Sequence, residues 1–332
     1  MHVPGLHPHT AVRNIRQRRE ERRAGQRTPA AIKSALVIQG GGMRGVFGAG
    51  CLVALAELGY TSGFDEVYAT SSGAINGAFF LADAMAFGAT IYYEEINNAR
   101  FINPLRFSKI MDLDWLFDEV VTRRKPLDVR RLCSNDIPLY IPCFDVDTAE
   151  VRVFCSQGAQ AFLLDILKAS TAIPILYNRS VPVLEGRFVD GGMVDPIPIQ
   201  AAIANGCTDL LVLVTRPESF RARERLGCVE RWIGKVRLRH FRPEVEDAFQ
   251  KRGHAFNRSV DIAFGRATEA VPTGVHIATI APDAHLGLKR LTRRRKVLVA
   301  SAVNGGRKVF KVFAASDCRV AEVLTFVRYP FR

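Results

Sequence analysis

Ala35-Leu36-Val37-Ile38 is an apolar run that ends at Gln39 and three glycines. A short apolar run closed by turn residues predicts a strand buried on both faces. Val46 to Ala56, flanked by Arg44 and Glu57, predicts a core helix that runs to about Leu58 and stops at Gly59. Val67-Tyr68-Ala69-Thr70 predicts a second strand, followed by a helix through Ile75, Phe79 and Leu81. Strand, turn and helix thus recur twice within about 50 residues, the pattern of a parallel sheet covered by helices.

The pattern loosens afterwards. Residues 100–130 mix aromatic and charged residues and suggest a cover over the sheet. Leu139 to Phe144 and Val151 to Phe154 read as strands joined by the polar turn Asp145-Val146-Asp147-Thr148. Phe162 to Ala169 reads as a helix, and Gly186 to Val189 as a strand running into Asp190-Gly191-Gly192. A helix over Ile199 to Ala204, a strand over Asp209 to Val214 and a strand over Val275 to Ile280 follow. Nothing repeats along the chain.

At 332 residues with 48% hydrophobic positions, the chain is large enough for a substantial core. No uncharged apolar run reaches the ~18 residues of a membrane-spanning helix. Residues 1–31 carry seven arginines against two glutamates and few apolar residues, so a flexible basic arm is expected there. The arm lacks a secretory apolar core and the serine content of a transit peptide. The whole chain is +13, with a second basic stretch from Lys289 to Lys311 that contains no acid. Such charge favours anionic partners, although a solvated charged helix is the plainer explanation of the second stretch. Seven scattered cysteines without a CxxC pair fit free thiols in a reducing, cytoplasmic setting better than disulfides or a zinc site.

Three motifs carry chemistry. Gly40-Gly41-Gly42-Met43-Arg44-Gly45 lies where a strand meets a helix, so its backbone N–H groups can approach an anion or a developing oxyanion. Alone, it equally fits a dinucleotide loop or an ordinary glycine turn. Ala69-Thr70-Ser71-Ser72-Gly73 resembles the nucleophile elbow G-x-S-x-G, with alanine in place of the first glycine. An N-capping serine would look similar. Ser72 is a rival nucleophile by residue type, but Ser71 occupies the elbow centre. Asp190-Gly191-Gly192 puts a carboxylate at a strand end, which an Asp–Gly turn would also do. All three fall at the carboxyl ends of predicted strands, where open α/β sheets build their sites.

The order of these motifs resembles the patatin-like phospholipases. The flanking stretches Lys168-Ala169-Ser170-Thr171-Ala172-Ile173-Pro174 and Met193-Val194-Asp195-Pro196-Ile197-Pro198 are also similar to that family. The stretch from Thr215-Arg216-Pro217 through Arg252 and Phe256-Asn257 resembles a bacterial branch of it, so the likeness spans about residues 34 to 320. It implies a three-layer α/β/α fold with a mainly parallel sheet and a serine–aspartate dyad without histidine. Ser71 would be the nucleophile and Asp190 the general base. The amides of Gly41, Gly42 and Met43 would form the oxyanion hole, and Arg44 would support the loop. The substrate would be a lipid or another acyl ester, with no metal and no cofactor. Reversible contact with an anionic membrane surface is a further expectation, and nucleic acid is disfavoured.

The organisation expected is a basic arm over 1–31, a catalytic core over 32–215 and a C-terminal part over 216–332 packed on the core as one unit. Three rivals remain. An α/β-hydrolase triad would draw on His240, His254, His276 or His285. A nucleotide module would need an acid about 20 residues past the glycines, where Asp65 and Glu66 fit badly. The third is a basic interaction protein without activity.

Overall fold

The computed structural model of the chain describes residues 8–26, 32–106 and 108–313. Its strands are β1 (Ser34–Ile38), β2 (Glu66–Ala69), β3 (Leu139–Asp145), β4 (Val151–Cys155), β5 (Val181–Val183), β6 (Gly186–Asp190), β7 (Asp209–Leu213) and β8 (His276–Ile280). Its helices are α1 (Pro8–Arg23), α2 (Gly45–Glu57), α3 (Ser72–Leu81), α4 (Met85–Ala89), α5 (Leu113–Trp115), α6 (Val129–Cys133), α7 (Leu163–Thr171), α8 (Ile199–Ala204), α9 (Cys228–Leu238), α10 (Pro243–Ala263) and α11 (Arg295–Phe313).

Among the described residues, the strands form one sheet in the order β5-β6-β3-β2-β1-β7-β8, with β4 also on β3. The pairs β1–β2, β1–β7, β2–β3 and β7–β8 are parallel. The pairs β3–β4, β3–β6 and β5–β6 are antiparallel. The fold is thus the expected α/β one with a mainly parallel sheet. β5 shows no strand pattern in the sequence because it is three residues long with a central proline.

Alternate side chains of a strand face opposite ways, and β1 feeds two cores. Leu36 and Ile38 pack with Phe47, Leu52, Phe79 and Leu298, from α2, α3 and α11. Ala35 and Val37 pack with Ile199, Ala202, Val260 and Ile262, from α8 and α10. These two helix layers enclose the sheet. α11 lies closely on α2, and the Cys51 thiol is 3.4 Å from the Gly305 carbonyl oxygen.

One expectation is overturned. Residues 8–23, assigned to a flexible arm, form α1 and bury Ala11 and Ile15. α1 lies against the starts of the central strands. Asn14 Nδ2 donates to Asp209 Oδ1 at 2.8 Å, and Arg18 and Arg22 both pair with Asp65. Arg19 stacks over the Tyr60 ring, 4.4 Å from its centroid. The arginines that suggested a solvated segment therefore meet acids and a ring that are distant in sequence. Residues 1–7 and 27–31 of the expected arm lie outside the described residues.

The pairing of β3 positions the site. β4 runs along one edge of β3 from Tyr140 to Phe144. β2 and β6 therefore share the other edge, approaching from opposite directions. β2 leaves it at Tyr68↔Tyr140, and β6 ends at Asp190↔Cys143. The residues just past β2 are thereby aimed at the end of β6.

Candidate active site

Ser71 stands between β2 and α3 with φ 58° and ψ −134°. A non-glycine residue in this region is strained and is held there by its surroundings. Its amide donates to Ser170 Oγ at 2.9 Å, and that hydroxyl lies 3.4 Å from the Pro142 carbonyl oxygen. The Ser71 carbonyl accepts from the Ala74 amide at 2.8 Å, which opens α3. Small residues make the bend possible. A Cβ on Gly73 would lie 2.6 Å from the Ile38 carbonyl oxygen, and one on Gly40 would collide with Ser71 itself. Ala69, the departure from the elbow pattern, is fully buried in the core beside β1.

Asp190 is buried, with the Ser71 side chain near enough to favour the charged form of its carboxyl. Its Oδ1 accepts from the Gly192 amide at 2.7 Å, and its own amide donates to the Ala172 carbonyl at 3.0 Å. Gly191 packs against the backbone at Pro142, which lets the turn double back onto β3. Burial pushes the Asp190 carboxyl up to about 6, while Ser71, the Gly192 amide and the charge of Arg290 pull it down. Thr70 lies beside this turn, with its hydroxyl 3.2 Å from the Asp195 carbonyl. Burial raises Asp195 to about 6 as well.

The glycine loop lies directly over Ser71, but its amides differ in availability. Gly41 N–H donates to Ser72 Oγ at 3.0 Å, and Met43 N–H donates to the Arg290 carbonyl at 3.0 Å. Of the three amides expected to form an oxyanion hole, only that of Gly42 has no acceptor among the described residues. Ser72, the rival nucleophile, instead ties the elbow to the loop. Gly45 begins α2, and its carbonyl accepts from Asn76 Nδ2 at 2.9 Å. Arg44 is buried, and its side chain curls back over Gly41. Its Nε has no acceptor among the described residues. Burial and the neighbouring Arg290 and Arg216 pull this guanidinium well below its usual range.

Several supporting residues were not assigned roles in the sequence. Ser170 was visible only as part of a motif stretch. Thr215 Oγ1 lies 2.7 Å from the Gly40 carbonyl and 3.0 Å from Gln39 Oε1, so the end of β7 clamps the start of the glycine loop. Arg290, seen in the sequence only as part of a basic run, covers Gly42. No local pattern marks these residues, because each acts across a long separation in the chain.

Beside Ser71 and Gly42 opens a narrow cavity of about 40 Å³ with a mostly apolar wall. Ile75 comes from α3, Ile91 and Ile96 from the following turns, and Phe101, Leu113 and Leu116 from the segment expected to cover the sheet. The apolar lining suits an acyl chain. Among the described residues, no group of acidic, histidine and cysteine side chains could hold a metal ion. His276 sits at the start of β8, in register with Asp209 at the start of β7, whereas Ser71 follows the end of β2 and Asp190 is the last residue of β6.

A family model described as patatin-like phospholipase matches residues 36–203, which include the glycine loop, Ser71 and Asp190. The chain is 30% identical over 211 residues to the uncharacterized protein YjjU of Escherichia coli, covering 61% of this chain and 58% of that one. It is 27% identical over 226 residues to the probable inactive patatin-like protein 9 of Arabidopsis thaliana, covering 54% of this chain and 58% of that one. The match thus spans 58% of the length of each of these relatives. Among solved structures, VipD from Legionella pneumophila superposes with a TM-score of 0.48 at 10% identity, over 87% of this chain and 68% of that one.

Proposed function

The chain belongs to the patatin-like phospholipase family, and from that premise we propose that it is a serine acyl hydrolase cleaving carboxylic ester bonds of lipids, phospholipids among them, with Ser71 as nucleophile and Asp190 as general base. The observation that carries this reading is the meeting of Ser71 with the buried carboxyl of Asp190, whose charged form the serine side chain favours, with Ser71 opening onto the apolar cavity.

A serine hydroxyl needs a base before it attacks. Asp190 takes the proton as Ser71 Oγ bonds to the ester carbonyl carbon, and negative charge gathers on the carbonyl oxygen. The Gly42 amide is the free donor for that oxygen. The Met43 amide joins it only if the Arg290 carbonyl gives way. A donor of this kind is typically worth about 3–4 kcal/mol in the barrier. The ester C–O bond then breaks, and the leaving alcohol takes the proton from Asp190. Water, deprotonated by the same carboxylate, attacks the acyl carbon; the bond to Ser71 Oγ breaks, Oγ takes the proton back from Asp190, and the acid is released. A carboxyl near 6 suits this task, being ionised at neutral pH yet more basic than an ordinary aspartate. The acyl chain lies among Ile75, Ile91, Phe101 and Leu116. The reading extends to a cytoplasmic enzyme that meets anionic membrane surfaces reversibly. The six described cysteines are all unpaired, in keeping with a reducing setting.

The test is labelling by a fluorophosphonate, which reports an activated serine. Wild type should label and hydrolyse p-nitrophenyl butyrate. Ser71→Ala should do neither, with turnover down by at least about 10³-fold. Labelling that survives Ser71→Ala would remove the dyad.

A further inference from the structure

The described surface exposes few large apolar side chains, and three of them fall within five residues of α9. Val229 is 70% exposed, Trp232 66% and Ile233 37%. The spacing i, i+3, i+4 puts them in one stripe on the helix. The opposite face is packed: Gly234 meets the Phe249 ring of α10, and Leu238 is buried.

Arg231, Lys235 and Arg239, at i, i+4 and i+8, form a row bordering the stripe. All three are exposed, as are Arg223 and Arg225 just before the helix, and none of the five is ion-paired among the described residues. The acids of this stretch are occupied: Glu230 accepts from the Gly227 amide at 3.2 Å, and Glu224 from Asn257 Nδ2 at 3.2 Å. An exposed tryptophan and two aliphatic residues beside a row of unpaired cations is the make-up of a helix that lies in a bilayer interface.

The helix also stands at the right end of the molecule. Leu238 shares a hydrophobic cluster with Val189 and Met193, which flank Asp190-Gly191-Gly192, and with Phe144 and Val146 at the end of β3. α1, the other basic segment, lies at the strand starts, away from Ser71.

We infer that α9 is a docking surface for an anionic lipid bilayer, with Val229, Trp232 and Ile233 entering the headgroup boundary and Arg231, Lys235 and Arg239 meeting lipid phosphates. The choice of a bilayer as the occupant rests on the acyl-hydrolase reading. The apolar stripe favours it over nucleic acid, which offers phosphates but nothing to bury Trp232 while its bases are paired.

The experiment is co-sedimentation of the full chain with vesicles of phosphatidylcholine alone or mixed with phosphatidylglycerol, at low and high salt, with tryptophan emission read in parallel. The expected result is binding to the anionic vesicles that weakens with salt, and a blue shift that is absent in Trp232→Ser. Trp232→Ser and the pair Arg231→Gln, Lys235→Gln should each cut partitioning by about tenfold or more, while turnover of water-soluble p-nitrophenyl esters stays at the wild-type level. Ser71→Ala should bind vesicles as wild type does; hydrolysis retained in that variant would count against the catalytic reading and not against this one. Equal sedimentation of Trp232→Ser and wild type would overturn the inference. So would a Trp232-dependent dimer in gel filtration, or Trp232-dependent RNA binding without vesicle binding.

Discussion

The Met43 amide donates to the carbonyl oxygen of Arg290, 3.0 Å away, so the glycine loop is closed by a residue nearly 250 positions further along the chain. The same arginine packs its Cγ against Gly42. The site is therefore assembled partly from residues beyond 215, and the loop's donors are partly occupied before any substrate arrives.

Gly42→Ala tests this contact. Gly42 has φ +60°, and an added Cβ would lie 2.9 Å from the Arg290 carbonyl oxygen and 3.0 Å from its Cγ. A left-handed alanine costs about 1–2 kcal/mol before any clash. We expect a melting temperature lower by several degrees and kcat/KM lower by at least about tenfold. Unchanged melting and kinetics would mean that the loop and the Arg290 segment move apart freely.

Asp190 predicts a pH signature with two parts. Its folded carboxyl titrates near 6, whereas an unfolded aspartate titrates at about 4. Between those values the native state holds a proton that the unfolded chain has lost. The associated stability is present below about pH 4 and is lost as pH rises through about 6. Asp190→Asn stays neutral, so it should melt a few degrees above wild type at pH 8, with the advantage gone at pH 4. Activity runs the other way, because the base must be ionised. Wild-type kcat/KM should rise through an apparent pKa near 6, and Asp190→Asn should retain almost none of it. A flat profile from pH 5 to 8 would contradict the assignment of Asp190 as base. Asp195, also raised to about 6, should leave the Asp190→Asn protein with a residual slope of stability against pH.

Ser170→Ala removes the acceptor of the Ser71 amide. Ser71 is already in a strained conformation, so its hydroxyl should drift from Asp190. The expected outcome is a drop in kcat of about 10- to 100-fold, with KM and the pH limb near 6 unmoved and partial recovery in Ser170→Thr. A displaced limb would show that Ser170 acts on the charge of Asp190 rather than on the geometry of Ser71.

The histidines separate the dyad from a triad. His254 is exposed and 3.8 Å from Glu224, His240 stacks against Phe241, and His276 sits at the start of β8. Single alanine substitutions at His240, His254, His276 and His285 should leave ester turnover within a few-fold of wild type. A loss matching that of Ser71→Ala at any one of them would replace the dyad by a triad.

The second basic stretch shows where charge in a sequence misleads. Lys289 to Lys311 reads as one solvated run, yet the structure divides it. Arg290 turns inward over the glycine loop, Lys308 pairs with Asp283 at 2.7 Å, and α11 buries Leu298, Ala302 and Val309 against α2. The arginines of α1 are similarly drawn to Asp65.

What the sequence determined by itself was local. Apolar runs closed by glycine set β1, β2 and the helices after them, because backbone sterics and burial act over a few residues. The elbow at Ser71 and the turn at Asp190-Gly191-Gly192 were legible for the same reason. Only the tertiary structure decided that β2 and β6 end against one another along a single edge of β3, which brings Ser71 to Asp190. It alone decided that Ser72 and Arg290 occupy two of the three loop amides, and that α1 folds across the strand starts. It also left the stripe of α9 outside the core. These outcomes join residues far apart in the chain. Which partner a polar group finds there depends on how the whole sheet and its helices close around it, and no short stretch of sequence encodes that.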